Sequence, residues 1–480
     1  LSFPCIAPLP ETDELVWFSE RSGWAHLYLY DLNSGELKHQ ITGVSANGEP
    51  SANGEPSADK EPSADREPSY KKPSANEEWL VRDILHIDTE RRELLIQTAA
   101  RDADINPYYR DICKVNIDTG ALTPLISGNY DHAMYRARDG VIIHYMMPSY
   151  GSLVDSIAES SQFPCGGLSP SGQYLVTTRS RPDTAPESIL IDRDGREILT
   201  VETADTSDLP ADWIWPEPVK LKAADNKTDI YAVVFRPPGF SPEESYPVVD
   251  LNSPTRGQFA VPMGSFVNSP HCGLTYYHAA ALATLGFVVV CIAGRGTTGR
   301  EKAFYTHHYG DHAFTSDFSD RITGIRQLAE RYPSMDLDRV GIATDENPVN
   351  NAAYGLLLHS DFYKVAVLQN ITDPRFMFTA LAEPMEITLS NTAPTRTPYP
   401  EDCVESFKGK LLMILGLSSR PCATYRLVNA LIKANKDVDM LCVPHLNHSM
   451  SPYTKRREWD YLVTHLMGEK PPEQFLLTAL

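Results

Sequence analysis

Between residues 231 and 444 the sequence alternates short apolar runs with amphipathic stretches, and few folds accommodate that rhythm. The runs are "YAVVFRP" (231–237), "YPVVDL" (246–251), "FVVVCIA" (287–293), "RVGIA" (339–343), "YKVAVL" (363–368), "KLLMILG" (410–416) and "VDMLCVP" (438–444). Several are apolar on every residue, as a strand requires when helices cover both faces of its sheet. Helical spacing lies between them. "DFSDRITGIRQLAERYP" places Ile322, Ile325, Leu328 and Ala329 on one face, and the last helix places Trp459, Leu462, Val463, Leu466 and Met467 on another. Both stripes read as core. The pattern predicts a doubly wound, mostly parallel α/β domain over residues 206–480.

Residues 1–205 follow a different rule. "ELVWFSE" (14–20) precedes "HLYLYDLNSGEL" (26–37), "ELLIQTA" (93–99) precedes "DICKVNIDTGAL" (111–122), and "YLVTTRS" (174–180) precedes "SILIDRDGREIL" (188–199). Each pair reads as a hairpin whose second strand runs into an Asp-x-x-x-Gly or Asp-Gly turn. Repeated units of this kind predict propeller blades, with a β-sandwich as the alternative. An insert separates the first two units. From Ser45 a six-residue Ser-Ala-Asn-Gly-Glu-Pro-like unit repeats, with almost no apolar side chain to offset the entropy of ordering. Residues 44–77 are expected to be a disordered surface loop, or, on the functional reading, a binding tail.

The net charge of −20 repels phosphate backbones, so no nucleic-acid partner is expected. No apolar run reaches ~18 residues, so no membrane span is expected. The chain begins Leu-Ser-Phe-Pro without a signal peptide, which fits a processed or truncated soluble product and leaves its compartment open. The eight cysteines are scattered and form no Cys-x-x-Cys pair or Cys/His cluster. Buried free thiols are expected, with no metal site and no cofactor.

"VGIATDENPVNNAAYGLLLHSDFYKVAV" (340–367) has the layout of a nucleophile elbow: a β-branched run, a tight turn, then a helix start rich in small residues. The turn reads Thr344-Asp345-Glu346-Asn347-Pro348, and no Gly-x-Ser-x-Gly occurs elsewhere in the chain. Further segments carry a resemblance: "FSERSGWAHLYLYD" (18–31), "GRGTTGREKAF" (294–304), "MDLDRVGI" (335–342), "LLLHSDFYKVAV" (356–367), "LVNALIKANKDVDML" (427–441) and "RREWDYLVTHLMGEKPP" (456–472). Together they resemble the prolyl oligopeptidase family of serine peptidases, in its dipeptidyl-peptidase-IV-like branch, over nearly the whole chain except the insert. The resemblance implies an α/β-hydrolase preceded by a β-propeller, here partial, with its first blades missing.

It also implies a Ser-His-Asp triad, in which the histidine takes the proton of a serine too weakly acidic to attack alone. Matching the segments places Glu346 at the serine position and Asp345, Asn347, Pro348 and Val349 where small elbow residues belong. Ser419, in "GLSSRP" (416–421), stands at the aspartate position, in a loop about three residues shorter than the family's. Ser253 lies near the position of the family's oxyanion tyrosine, and Ala293 replaces the aspartate before Gly-Arg-Gly. Only the histidine is retained, as His448 in "PHLNHSM", with His445 its weaker rival. The family's glutamate pair, which grips a substrate's amino terminus, is carried onto neither Glu77-Glu78 nor Glu243-Glu244.

Three readings follow. The first is a non-catalytic or severely impaired homologue that binds peptides or a partner, with a homodimer among the expected states. The second is an active serine peptidase whose nucleophile lies elsewhere. The third is a decayed gene product without selected function. A carboxylate nucleophile at Glu346 would need an intact elbow and oxyanion hole. A helix-entrance carboxylate explains Glu346 without either, and a relic hydrogen bond explains His448 without catalysis.

Overall fold

The computed structural model describes residues 6–43, 78–133, 137–138, 141–142, 167–252, 261–266, 273–307, 317–344, 349–369, 371, 399–416, 422–444 and 451–477. The insert at 44–77 lies outside the described residues. The chain divides into two compact units. One comprises residues 1–181, 185–204 and 299–303, and the other residues 182–184, 205–298 and 304–480.

The first unit is all-β. Strands β1 (Ile6–Leu9), β2 (Glu14–Ser19), β3 (His26–Asp31) and β4 (Leu37–Gln40) form a meander. β5 (Leu80–Asp88), β6 (Glu93–Ala99), β7 (Arg110–Asn116) and β8 (Leu122–Ile126) repeat it. A third four-stranded sheet has β9 (Asp131–Ala133), β12 (Tyr174–Ser180), β13 (Glu187–Asp192) and β14 (Glu197–Thr203), in the order β14-β13-β12-β9. Between β9 and β12 the short strands β10 (Ala137–Arg138) and β11 (Val141–Ile142) pair with each other.

The hairpins expected from the sequence are β2–β3, β6–β7 and β12–β13. The first strand of each sheet, β1, β5 and β9, went unread, and β1 and β9 are only four and three residues long. The turn after the third strand of each sheet has one chemistry. Asp31 Oδ1 accepts from the Asn33 and Ser34 amides, Asn116 Oδ1 from those of Asp118 and Thr119, and Asp192 Oδ1 from those of Asp194 and Arg196. Gly35, Gly120 and Gly195 then adopt φ of 73°, 68° and 83°, which a side chain would disfavour. In the second turn the capping residue is thus Asn116, not an aspartate.

Consecutive sheets bury their faces together. Val16, Leu27, Leu29, Leu94, Ile96 and Val115 fill the first layer, and Ile112, Leu125, Leu175, Ile189 and Ile191 the second. Asp111, on β7, is pushed by burial up to about 6, against the pull of Arg101 Nη1 at 3.7 Å. A carboxyl raised above its unfolded value favours folding below the unfolded pKa and loses that contribution as pH rises through the folded one. Asp111→Asn should therefore make this unit more stable than wild type at pH 8 by about 1–3 kcal/mol and lose the advantage by pH 4. Urea melts of both proteins at the two pH values check it.

The second unit holds an eight-stranded sheet in the order β15-β16-β18-β17-β19-β20-β21-β22. Its strands are β15 (Glu217–Lys222), β16 (Asp229–Phe235), β17 (Tyr246–Asn252), β18 (Val288–Ala293), β19 (Met335–Thr344), β20 (Tyr363–Gln369), β21 (Lys410–Gly416) and β22 (Asp439–Val443). β16 runs antiparallel to β15 and β18, and the rest pair in parallel. Five helices matter here: α1 (Gly273–Thr284), α2 (Phe318–Arg331), α3 (Val349–Leu358), α4 (Cys422–Lys433) and α5 (Pro452–Leu462). One face of the sheet buries Val248, Ile342, Ala366 and Met413 under residues of α2, α3 and α4. Alternate residues of the same strands face α1 and α5, and Gly341 lets the Leu466 side chain lie against the β19 backbone. The sheet is mostly parallel and covered on both faces, as the apolar runs predicted, and the architecture is that of an α/β-hydrolase, as the resemblance implied.

The helix stripes held in part. Ile322, Ile325 and Leu328 are buried, and Ala329 is half-buried. On α5 the expectation needs correcting. Leu462 and Leu466 are buried, but Trp459, Val463 and Met467 are half-buried, while Lys455 and Glu458 are inside. Ser451 caps this helix by accepting from the Thr454 amide, and Thr454 Oγ1 accepts from the Ser451 amide. Beyond Leu462 the chain widens into a π turn, Val463–Met467, which breaks the 3.6-residue phase on which the stripe was drawn.

Of the cysteines among the described residues, Cys113, Cys291 and Cys403 are buried free thiols. Cys422 and Cys442 are free but exposed, contrary to expectation, because they sit at the first residue of α4 and on the edge strand β22. Among the described residues no group of three or more His, Cys, Asp or Glu is placed to hold a metal ion, and no helix is long and apolar enough to cross a membrane.

Candidate functional site

In an open α/β sheet the crevice forms outside the carboxyl ends of the strands, where the strand order reverses. Here the chain passes from β17 to β18 on one side and then back across β17 to β19 on the other. The reversal point is the carboxyl end of β17 and β19, where Asn252 stands opposite Thr344 in the parallel ladder.

The sequence-derived positions all fall in connections leaving this edge. Ser253 directly follows β17, Glu346 lies between β19 and α3, Ser419 between β21 and α4, and His445 and His448 between β22 and α5. All five residues lie outside the described residues, as do Asp345, Asn347 and Pro348. Strand β19 ends at Thr344 and helix α3 begins at Val349, so Glu346 lies between a strand and a helix.

A buried ionic knot holds the edge together from below. The Arg321 guanidinium, from α2, is completely buried. Its Nε donates to Asp250 Oδ2 at 3.0 Å, its Nη1 to Ile292 O at 2.6 Å and its Nη2 to Leu251 O at 3.1 Å, while Nη2 also pairs with Asp250 Oδ1. Tyr363, at the start of β20, donates its hydroxyl to Asp250 Oδ2 at 2.7 Å. Burial would lower the Arg321 pKa, but Asp250 and Asp317 outweigh it and hold the cation firmly charged. Burial and the neighbouring Asp250 carboxylate push the Tyr363 hydroxyl well above its ordinary value. One guanidinium thus ties α2 to the carboxyl ends of β17 and β18.

Asn252, two residues beyond Asp250, projects to the same face of the sheet. It is completely buried, and among the described residues neither its amide nitrogen nor its amide oxygen has a hydrogen-bond partner.

A second charged cluster joins α1 to α5. Lys455 Nζ lies 3.1 Å from His278 Nε2 and 3.1 Å from Glu458 Oε2, and His278 Nε2 lies 3.2 Å from Glu458 Oε1. Their side chains are 4–7% exposed. Sequence reasoning missed both clusters and Asn252. The available signal was weak: an Asp and an Asn inside the run "VVDLN", and charges at 455 and 458 on the turn that leads into the apolar stripe.

Comparison with known proteins agrees with this architecture. The sequence profile of the prolyl oligopeptidase family matches residues 274–469, and that of the dipeptidyl peptidase IV N-terminal region matches residues 3–149. Human dipeptidyl peptidase 8 is 24% identical over 256 residues, covering 50% of this chain and 27% of the relative. A probable dipeptidyl peptidase 4 of Aspergillus flavus is 23% identical over 351 residues, covering 71% of this chain and 35% of the relative. The chain therefore aligns with about a quarter to a third of the length of these relatives. Among solved structures, a putative dipeptidyl aminopeptidase IV from Bacteroides ovatus superposes with a TM-score of 0.69 at 17% identity, covering 96% of this chain and 58% of the other. Porphyromonas gingivalis dipeptidyl peptidase 4 gives 0.67 at 18%, covering 96% and 56%. Two family profiles on the two units, and neighbours that share the propeller-like and hydrolase parts in one chain, place this protein in the prolyl oligopeptidase family, in its dipeptidyl-peptidase-IV-like branch.

Proposed function

We propose that this chain is a non-catalytic or severely impaired member of its family, and that its retained role is to bind peptide at the carboxyl edge of the α/β sheet. The domains are divided as 1–205, propeller-like, and 206–480, hydrolase. One observation carries the reading. The connection between β19 and α3 is Asp345-Glu346-Asn347-Pro348, with no serine or cysteine in it. A peptidase of this type needs an activated hydroxyl or thiol at that turn. Ser419 at the aspartate position and Ser253 near the tyrosine position point the same way, since His448 alone has neither a nucleophile to activate nor a carboxylate to orient it. Loss of a triad serine alone costs roughly 10⁶ in kcat.

The purified protein should not react with a fluorophosphonate serine-hydrolase probe, and X-Pro chromogenic peptides should turn over at background. Glu346→Ser should restore nothing, because Ser419 and Ser253 leave the triad aspartate and the tyrosine missing. A labelled serine mapped by mass spectrometry, together with turnover that His448→Ala abolishes, would establish the rival reading of an active peptidase.

A further inference from the structure

We infer that the cleft between the second and third sheets of the all-β unit binds a neutral, hydroxyl-rich ligand, a mono- or disaccharide. The inference is independent of the peptide-binding reading above, since every residue it uses lies in the other unit. The cleft has a volume of about 460 Å³, within the range of small-molecule sites. Its lining includes Asn129, Tyr130, His132, Arg179 and Glu197. Gly195 forms one wall, so close to the Leu125 backbone that a Cβ would collide with it. Residues 127–130, which connect β8 to β9, form another, and there the Tyr130 amide donates to Gly128 O at 2.8 Å.

His132 carries the argument. Its side chain is buried, the residue being 1% exposed. A carbonyl oxygen only accepts, so Nδ1 carries the proton and donates it to Arg110 O at 2.8 Å. Among the described residues this is the ring's one hydrogen bond, and the ring lines the cleft. Burial and the Arg179 charge lower its pKa, which keeps the ring neutral and leaves Nε2 as an unused acceptor. A buried polar atom without a partner forfeits its bond to water, and a donor entering the cleft restores that bond. Arg179 donates from Nε to Glu187 Oε2 at 2.7 Å and from Nη1 to Glu197 Oε2 at 2.9 Å, which leaves its Nη2 for a further acceptor. Within the lining the charges of Arg179 and Glu197 cancel. An anion would meet the Glu197 carboxylate and the His132 lone pair, and a cation would meet the guanidinium. A hydroxyl is uncharged and both donates and accepts. Neighbouring hydroxyls of a sugar ring can thus donate to His132 Nε2 and accept from Arg179 Nη2 or the Asn129 amide. Tyr130, 38% exposed, offers a ring whose electron-rich face suits the C–H face of the sugar.

The test is saturation-transfer NMR on the full chain, with a panel of common hexoses, pentoses, N-acetylhexosamines and their disaccharides as probes. Trialanine, acetylated and amidated, is the neutral amide control. At least one sugar should show saturable transfer. The double variant Asn129→Ala/Tyr130→Ala should bind that sugar about tenfold more weakly or worse, through loss of a hydrogen bond and a ring contact. Both residues are exposed, so the fold should be kept. His132→Phe keeps an aromatic ring, removes the acceptor and should weaken binding similarly; should it not fold, the double variant decides alone. Absence of transfer from every sugar overturns the inference. Unchanged affinity in the variants places the sugar elsewhere and also overturns it. Trialanine that binds as tightly as the sugars, and is lost in the same variants, assigns the cleft to amides and overturns the saccharide reading.

Discussion

Replacing Arg321 with methionine is expected to destabilise the α/β unit by about 3–5 kcal/mol, the cost of leaving one partner of a buried ion pair uncompensated. The loss should be at the upper end of that range, because the guanidinium serves several acceptors at once. Without it Asp250 keeps Tyr363 as its one side-chain partner among the described residues, and the Ile292 and Leu251 carbonyls lose the guanidinium donors they hold in the interior. The partner variant Asp250→Leu strands the cation instead and should cost a similar amount. The double variant should cost clearly less than the sum of the two, since no unpaired charge remains. Urea melts of the three variants give the coupling directly. A neutral Arg321→Met, or simple additivity, would contradict the knot as described.

Glu458→Gln should cost about 3 kcal/mol or more in the same unit. Burial alone would raise the Glu458 pKa, but the Lys455 ammonium and the His278 ring beside it reverse the sign and hold the carboxyl down at about 2. Its stabilisation is therefore complete above the unfolded value near 4.5 and is lost as pH falls through the interval down to about 2. Glutamine removes the charge and leaves Lys455 inside with His278 as its remaining partner in the cluster. Wild-type stability should fall between pH 5 and pH 3 more steeply than that of Glu458→Gln, with the two curves converging at acid pH. Parallel curves would mean that the carboxylate is solvated. Lys455→Met combined with Glu458→Leu should recover most of the loss, because apolar groups of similar volume need no counter-charge.

The contrast between what was and was not legible follows from these residues. Runs such as "FVVVCIA" and "KLLMILG" identify covered strands, because only burial on both faces tolerates unbroken apolar side chains. The Gly35, Gly120 and Gly195 turns were legible for a local reason as well: a short polar side chain caps its own backbone two or three residues on, and glycine takes the left-handed position that closes the turn. The composition of the segment around Glu346, which lacks Gly-x-Ser-x-Gly, was likewise on view in the chain.

The tertiary structure alone decided the rest. Beyond Leu462 the predicted stripe assumed a constant helical phase, which the π turn at Val463–Met467 breaks. Lys455 and Glu458 carried no reading in the sequence, and α1 brings His278 against Lys455 from 177 positions away. Arg321 and Asp250, 71 positions earlier, carried no reading in the sequence, and they meet only when α2 packs on the sheet. Asn252 gave no sign in sequence of lying at the strand-order reversal. Local patterning fixes which segments become strands, helices and turns, because those choices depend on side chains within a few positions. Whether a charge or an amide in such a segment meets water or a partner depends on which distant strand or helix lies against it, and that is set only when the sheet assembles.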